Sequence, residues 1–311
     1  MTSMKTPELQ RDLLKGGIFL TGAPRSGTSI LGKIIATLKD IEYHFEPPTL
    51  YMICSSYADK FIDKTSARVL LQNYLCEDLL LESIQGRGVN LRPSDDSQIL
   101  NSIDWPELNQ RWINIPNRAE AIRYGLENNI RLALKSPNTF DALSLVRDVI
   151  KDPSIIIIKR NGFDVLRSII AKQWLSDKSL KTELWPYRDV EKKINIPYWV
   201  PNRFSEDWEE MSCITRSALM WAVHADIGLT SSNEKDTIIV SYEELTESPT
   251  TTTEVLTQFI GTEATHHTSK IINTIRCREK RSNNDDIEKI LSKESQEIYE
   301  YFVQTNKAWG Y

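Results

Sequence analysis

The chain has 311 residues, 40% of them apolar and 26% charged, the balance of an ordinary globular protein. Its net charge of −5 argues against a nucleic-acid-binding surface, and no apolar run approaches the length of a membrane span. Residues 1–15 are polar and carry no apolar signal core, and Cys54, Cys76, Cys213 and Cys277 are scattered, so the expected setting is a reducing cytoplasm.

The first element is the apolar run Ile18–Leu20, which enters the string Thr21-Gly22-Ala23-Pro24-Arg25-Ser26-Gly27-Thr28-Ser29. Behind it Ile30, Leu31, Ile34, Ile35 and Leu38 form a helical stripe. Gly22 and Gly27 stand five apart, as in the phosphate-loop pattern G-x-x-x-x-G-K-S/T. Here Thr28 replaces the lysine, and the cation is Arg25, inside the loop. Backbone N–H groups from Gly27 onward suit an anionic phosphate, and the Thr28 and Ser29 hydroxyls add donors. Without the lysine and its magnesium arrangement, the loop fits a terminal monophosphate-like group rather than a triphosphate.

Next comes Tyr43-His44-Phe45-Glu46-Pro47-Pro48, at the end of a short strand. Residues 86–116 follow, rich in turn formers and holding Trp105 and Trp112. Ile130–Leu134 is a second apolar run, ending in Lys135-Ser136-Pro137. After Pro153, Ile155-Ile156-Ile157-Ile158 reads as a central strand buried on both faces, followed by Lys159-Arg160. Val165, Leu166, Ile169 and Ile170 mark a helix that carries Ser168. Residues 174–208 are again irregular, with Trp174, Trp185, Tyr187, Tyr198, Trp199, Phe204 and Trp208 among prolines. Long irregular segments serve as lids or binding loops, and their aromatics also pack them onto the body of the protein. Met211, Ile214, Ala218, Ala222 and Ala225 mark a further helix, and Thr237–Val240 a further strand. Strand–helix alternation predicts one α/β domain over residues 1–311: a parallel sheet with helices on both faces and two aromatic-rich insertions.

Three motifs carry a family resemblance. Thr21–Ser29 resembles the 5′-phosphosulfate loop of the sulfotransferases, whose donor is 3′-phosphoadenosine 5′-phosphosulfate (PAPS). Arg160 at a strand end, with Ser168 eight residues on, is similar to that family's 3′-phosphate site. Val240-Ser241-Tyr242-Glu243-Glu244-Leu245 resembles its third donor motif, which implies that Tyr242 approaches the adenine. A strand-end tyrosine packing the core is the alternative for Tyr242. The basic run Arg276, Arg278, Lys280, Arg281 falls where some relatives close over the donor; a solvated helix end is the plainer account. The resemblance implies donor contacts from Arg25, Ser26, Gly27, Thr28, Ser29, Arg160, Ser168 and Tyr242.

The implied reaction moves a sulfuryl group to an acceptor hydroxyl or amine, leaving 3′-phosphoadenosine 5′-phosphate (PAP). It needs a base and cations. Phenol and steroid sulfotransferases place lysine-threonine-histidine after this strand, and the histidine is their base. Here Pro137 takes the histidine's place, which favours the carbohydrate and tyrosylprotein branch and a glutamate base, Glu46. His44 is the second choice, sharing a strand face with Glu46 if the strand runs that far. Lys135 and Arg25 are the expected catalytic cations. No metal is expected, because His44, His224, His266 and His267 make no ligand cluster with cysteines or acids along the chain. The absence of an anchor in residues 1–15 and the net acidity favour a small molecule, a secondary metabolite or a glycoside, over a long polyanionic sugar. Residues 1–15 are expected to be an extension, and residues 86–116 and 174–208 to lie on the acceptor side. Two other classes compete: a P-loop kinase, opposed by Thr28 in place of lysine, and a non-catalytic phosphonucleotide-binding module, opposed by Glu46 with Lys135.

Overall fold

The computed structural model describes residues 8–182, 194–231, 233–276 and 285–311. Trp185, Pro186, Tyr187, Cys277, Arg278, Lys280 and Arg281 lie outside the described residues.

A parallel sheet is formed by β1 (Ile18–Gly22), β2 (Ile41–Phe45), β3 (Arg131–Lys135), β4 (Ser154–Lys159) and β5 (Thr237–Ser241). Their order is β2-β3-β1-β4-β5. β4 lies between β1 and β5, with Ile155–Ile158 fully buried, as an unbroken isoleucine run requires. Successive side chains enter opposite cores. Ile155 and Ile157 join one face with Phe19, Leu132 and Leu134, under the helices Gly162–Lys172 and Cys213–Ser231. Ile156 and Ile158 join the other with Ile18 and Leu20, under Leu31, Ile34 and Ile35 of the helix Thr28–Ala36. Pro249–Ile260 covers that second face through Leu256 and Ile260 and ends at Gly261, a left-handed cap. The expected α/β architecture, helices on both faces of a parallel sheet, is therefore observed.

Several local expectations are refined. Within the expected N-terminal extension, Glu8–Leu13 is helical, and Leu13 and Leu14 are buried in the core. The segment 86–116 is irregular only to Asp104; Trp105–Asn114 is a helix opened by Pro106. Trp105 and Trp112 meet edge to face at 6.0 Å, and Trp112 packs on Gly86, where a Cβ would collide with its ring. In 174–208, Tyr198, Trp199, Phe204 and Trp208 are buried core residues, so these aromatics anchor the insertion to the body of the protein. Met211 precedes the helix it was expected to join, which starts at Cys213. Among the described residues, Cys54, Cys76 and Cys213 are free thiols, and no helix is long and apolar enough to cross a membrane.

Candidate active site

β1 ends at Gly22, close against Ile158 of β4. The loop then turns through two left-handed residues, Arg25 (φ 67°) and Gly27 (φ 102°). Gly27 is required twice over: its φ is costly for an L-residue, and a Cβ would overlap the Tyr242 ring. No side chain caps the helix that starts at Thr28, so its first N–H groups are presented toward the loop. Ser26 and Thr28 are buried beside them. The glycine spacing therefore produces a strand–turn–helix with an uncapped helix start. Gly27→Ala is expected to destabilise the fold by about 2 kcal/mol or more, from φ strain and overpacking together. Chemical denaturation measures this. In a Tyr242→Ala background the packing part should vanish and the strain part remain.

Arg160 follows β4 directly, and Ser168 projects from the helix behind it. The structure brings both to the loop. Arg160 Nη1 donates to the Arg25 carbonyl at 3.0 Å, and Arg25 Nε donates to Ser168 Oγ at 3.0 Å. The Arg160 guanidinium lies 4.2 Å from the centre of the Tyr242 ring, while its buried Nε has no hydrogen-bond partner. A buried charged donor left unpaired is costly, and an anion at this position would satisfy it. Tyr242 itself is buried between Gly27 and Arg160 and supports both. Arg25 turns toward Ser168 and the Trp174 ring, 5.6 Å away, rather than toward the acid expected to be the base.

Glu46 and Lys135 meet across the ends of β2 and β3. Phe45 and Lys135 are register partners, and the Glu46 N–H donates to the Lys135 carbonyl at 2.8 Å. Glu46 then leaves the strand in a left-handed conformation, φ 46°. That twist carries its carboxylate onto the Lys135 ammonium, with which it forms an ion pair. The Lys135 side chain is only 2% exposed and Glu46 44%, so the pair has one dry and one wet end. Lys135 Nζ also sits 4.0 Å from the Phe45 ring centre and 3.4 Å from Ser29 Oγ, in the first turn of the loop helix. Burial pushes its pKa down, against the pull of the Glu46 carboxylate.

His44 does not share this face. The strand ends at Phe45, and the left-handed turn at Glu46 breaks the alternation that would have aligned them. His44 shares its face with Glu42, is bonded to the Leu79 backbone, and is held below the usual imidazole range by burial. Glu42 is fixed there by Arg111 (2.6 Å) and Ser83 (2.8 Å). Three contributors escape the motifs: Phe45 under Lys135, Trp174 over Arg25, and the link from Ser29 to Lys135. Phe45 could have been found from its place beside Glu46.

A cavity of about 530 Å³ runs along β2 and is lined by Phe45 and Pro47, the neighbours of Glu46. Asn90, Asp96, Ile99 and Arg111 of the first insertion form its other wall. The described part of the second insertion takes no part in that lining. The cavity also reaches His266 and His267, and here the reading of the histidines is corrected. The structure brings both to Asp104, with one ligand atom of each residue within 4.8 Å of the others. His267 is buried and only His266 is exposed. Sequence spacing missed the group because Asp104 belongs to a distant segment.

A parallel α/β sheet whose first strand feeds a glycine-bounded, uncapped helix start defines a P-loop-like protein. The chain belongs to the sulfotransferase domain family, whose model matches residues 15–307. No curated protein sequence matches it. Similar solved structures include the sulfotransferase domain of the Synechococcus PCC 7002 olefin synthase, 13% identical over 95% of this chain and 94% of that one, TM-score 0.44. A sulfotransferase from Alicyclobacillus acidocaldarius is 13% identical over 94% of each chain, TM-score 0.43. A mouse sulfotransferase complexed with PAP is 14% identical over 92% of this chain and 76% of that one, TM-score 0.41.

Proposed function

We propose that this protein transfers the sulfuryl group of PAPS to a hydroxyl, or an amine, of a small-molecule acceptor such as a secondary metabolite or glycoside. The observation that carries this reading is the Glu46–Lys135 pair set one hydrogen bond from the uncapped phosphate-loop helix. Mere binding of a phosphonucleotide needs no such acid. Thr28 in place of the P-loop lysine argues against triphosphate chemistry.

The donor's 5′-phosphosulfate fits the cradle of Ser26, Gly27, Thr28 and Ser29. Its 3′-phosphate fits the unpaired Arg160 Nε, with Ser168 and Arg25 beside it. Glu46 accepts the acceptor's proton from its exposed side. The acceptor oxygen bonds to sulfur as the bond from sulfur to the phosphate oxygen breaks, in line and through a loose transition state. Lys135, dry and already aimed at Ser29, stabilises the charge left on that departing oxygen. Arg25 adds positive charge from the donor side. The cavity along β2 holds the acceptor, and residues 86–116 form its wall.

Isothermal titration with PAP tests the donor half. Arg160→Ala is expected to weaken PAP binding by about 2 kcal/mol, roughly 30-fold, the scale of a lost charged hydrogen bond. Unchanged affinity would remove Arg160 from the site. An acceptor screen on the wild-type chain with PAPS tests the acceptor half through release of PAP.

A further inference from the structure

Asp104 stands at the N-cap of the Trp105–Asn114 helix, where an aspartate ordinarily accepts from the first turn. Here its side chain makes no capping hydrogen bond. The carboxylate faces two imidazoles instead: Oδ2 lies 3.7 Å from His266 Nε2, and Oδ1 lies 3.8 Å from His267 Nε2. These separations are too long for hydrogen bonds. They come close to the spacing of two ligands on one ion: at metal–ligand distances of about 2.1 Å, tetrahedral neighbours lie about 3.4 Å apart. The two rings lie with centroids 3.9 Å apart, their planes tilted by 39°.

The histidines are firmly held. Thr265 and Thr268 form a reciprocal cap at the start of their helix. Both hydroxyls also donate to the Thr37 carbonyl, at 2.7 and 2.9 Å, just past the phosphate-loop helix. Asp104 and His266 are both 62% exposed, which leaves room for water to complete a coordination shell.

We propose that Asp104, His266 and His267 form a binding site for a first-row divalent cation, separate from the Glu46–Lys135 pair. Two imidazoles and one carboxylate select zinc, cobalt or nickel over magnesium or calcium. The ion bridges the first insertion to the helix His266–Ile272, pinning the outer wall of the β2 cavity to the phosphate-loop side of the sheet. Its role is a clip, so it is read out in binding and stability and does not depend on the sulfuryl-transfer proposal.

The test uses tag-free, chelator-stripped full-length protein titrated with ZnCl2, with the visible absorption of Co²⁺ as a second probe. One ion per chain is expected, with a rise in Tm at saturating zinc. His266→Ala and Asp104→Asn should each weaken zinc at least 10-fold and abolish the zinc-dependent rise. The stripped variants should melt as the stripped wild type does. His266 is exposed, so its variant stays informative if Asp104→Asn folds poorly. No binding at 1 mM zinc, or undiminished binding by the His266→Ala protein, overturns the proposal.

Discussion

Glu46→Gln is expected to lower kcat by about 10²–10⁴-fold, the contribution of a general base, while PAP affinity stays within about twofold. Glutamine keeps the size of the side chain and a carbonyl oxygen for Lys135, so the ion pair becomes a hydrogen bond and the packing survives. What is lost is the group proposed to take the acceptor's proton. Glu46 does not contact Arg160, Ser168 or Tyr242, so PAP binding should be spared. Single-turnover assays with PAPS and any acceptor from the screen separate the two quantities. A variant that turns over at the wild-type rate would eliminate Glu46 as the base. The half-buried His44, on the opposite strand face, would not inherit the role.

Lys135→Met has the second large effect, a kcat loss of about 10²–10³-fold, the scale of removing one preorganised donor to a developing oxyanion. Methionine fills the buried stem and keeps the contact with Phe45, so the change isolates the charge. Glu46 is left without its partner but is 44% exposed, and water can solvate it. The chain should therefore fold, with melting behaviour close to wild type. A fall in kcat with KM for the acceptor largely unchanged marks a transition-state role. A rise in KM alone would reassign Lys135 to acceptor binding.

The sheet was legible in the sequence wherever a strand is buried on both faces. Ile155–Ile158 and Ile18–Leu20 are apolar at every position because both sides meet a core. β2 is harder to read, since it is an edge strand and carries Glu42 and His44 toward polar partners. That Arg160 and Ser168 meet the loop was legible because the spacing of strand and helix after the loop fixes where those side chains fall. The relation of His44 to Glu46 was not. Strand alternation places them together, and one positive φ at Glu46 undoes that, which no pattern of residue types reveals. The direction of Arg25 was equally hidden, since it depends on Ser168 and Trp174 from another strand–helix unit. Asp104 joins His266 and His267 only through the path of the first insertion, so composition near the histidines carries no trace of it.

The strand order β2-β3-β1-β4-β5 has an evolutionary corollary. β1 sits in the middle, and the chain visits one flank before crossing to the other. Under the proposed roles, Arg160, Ser168 and Tyr242 all come from the β4–β5 flank, while Glu46, Lys135 and the cavity wall come from the β2–β3 flank. Mutations that recast the acceptor pocket therefore fall on a different half of the sheet from those that would damage the nucleotide site. A lineage with this layout can diversify its acceptors while inheriting its donor unchanged, and only the loop after β1 has to satisfy both halves at once.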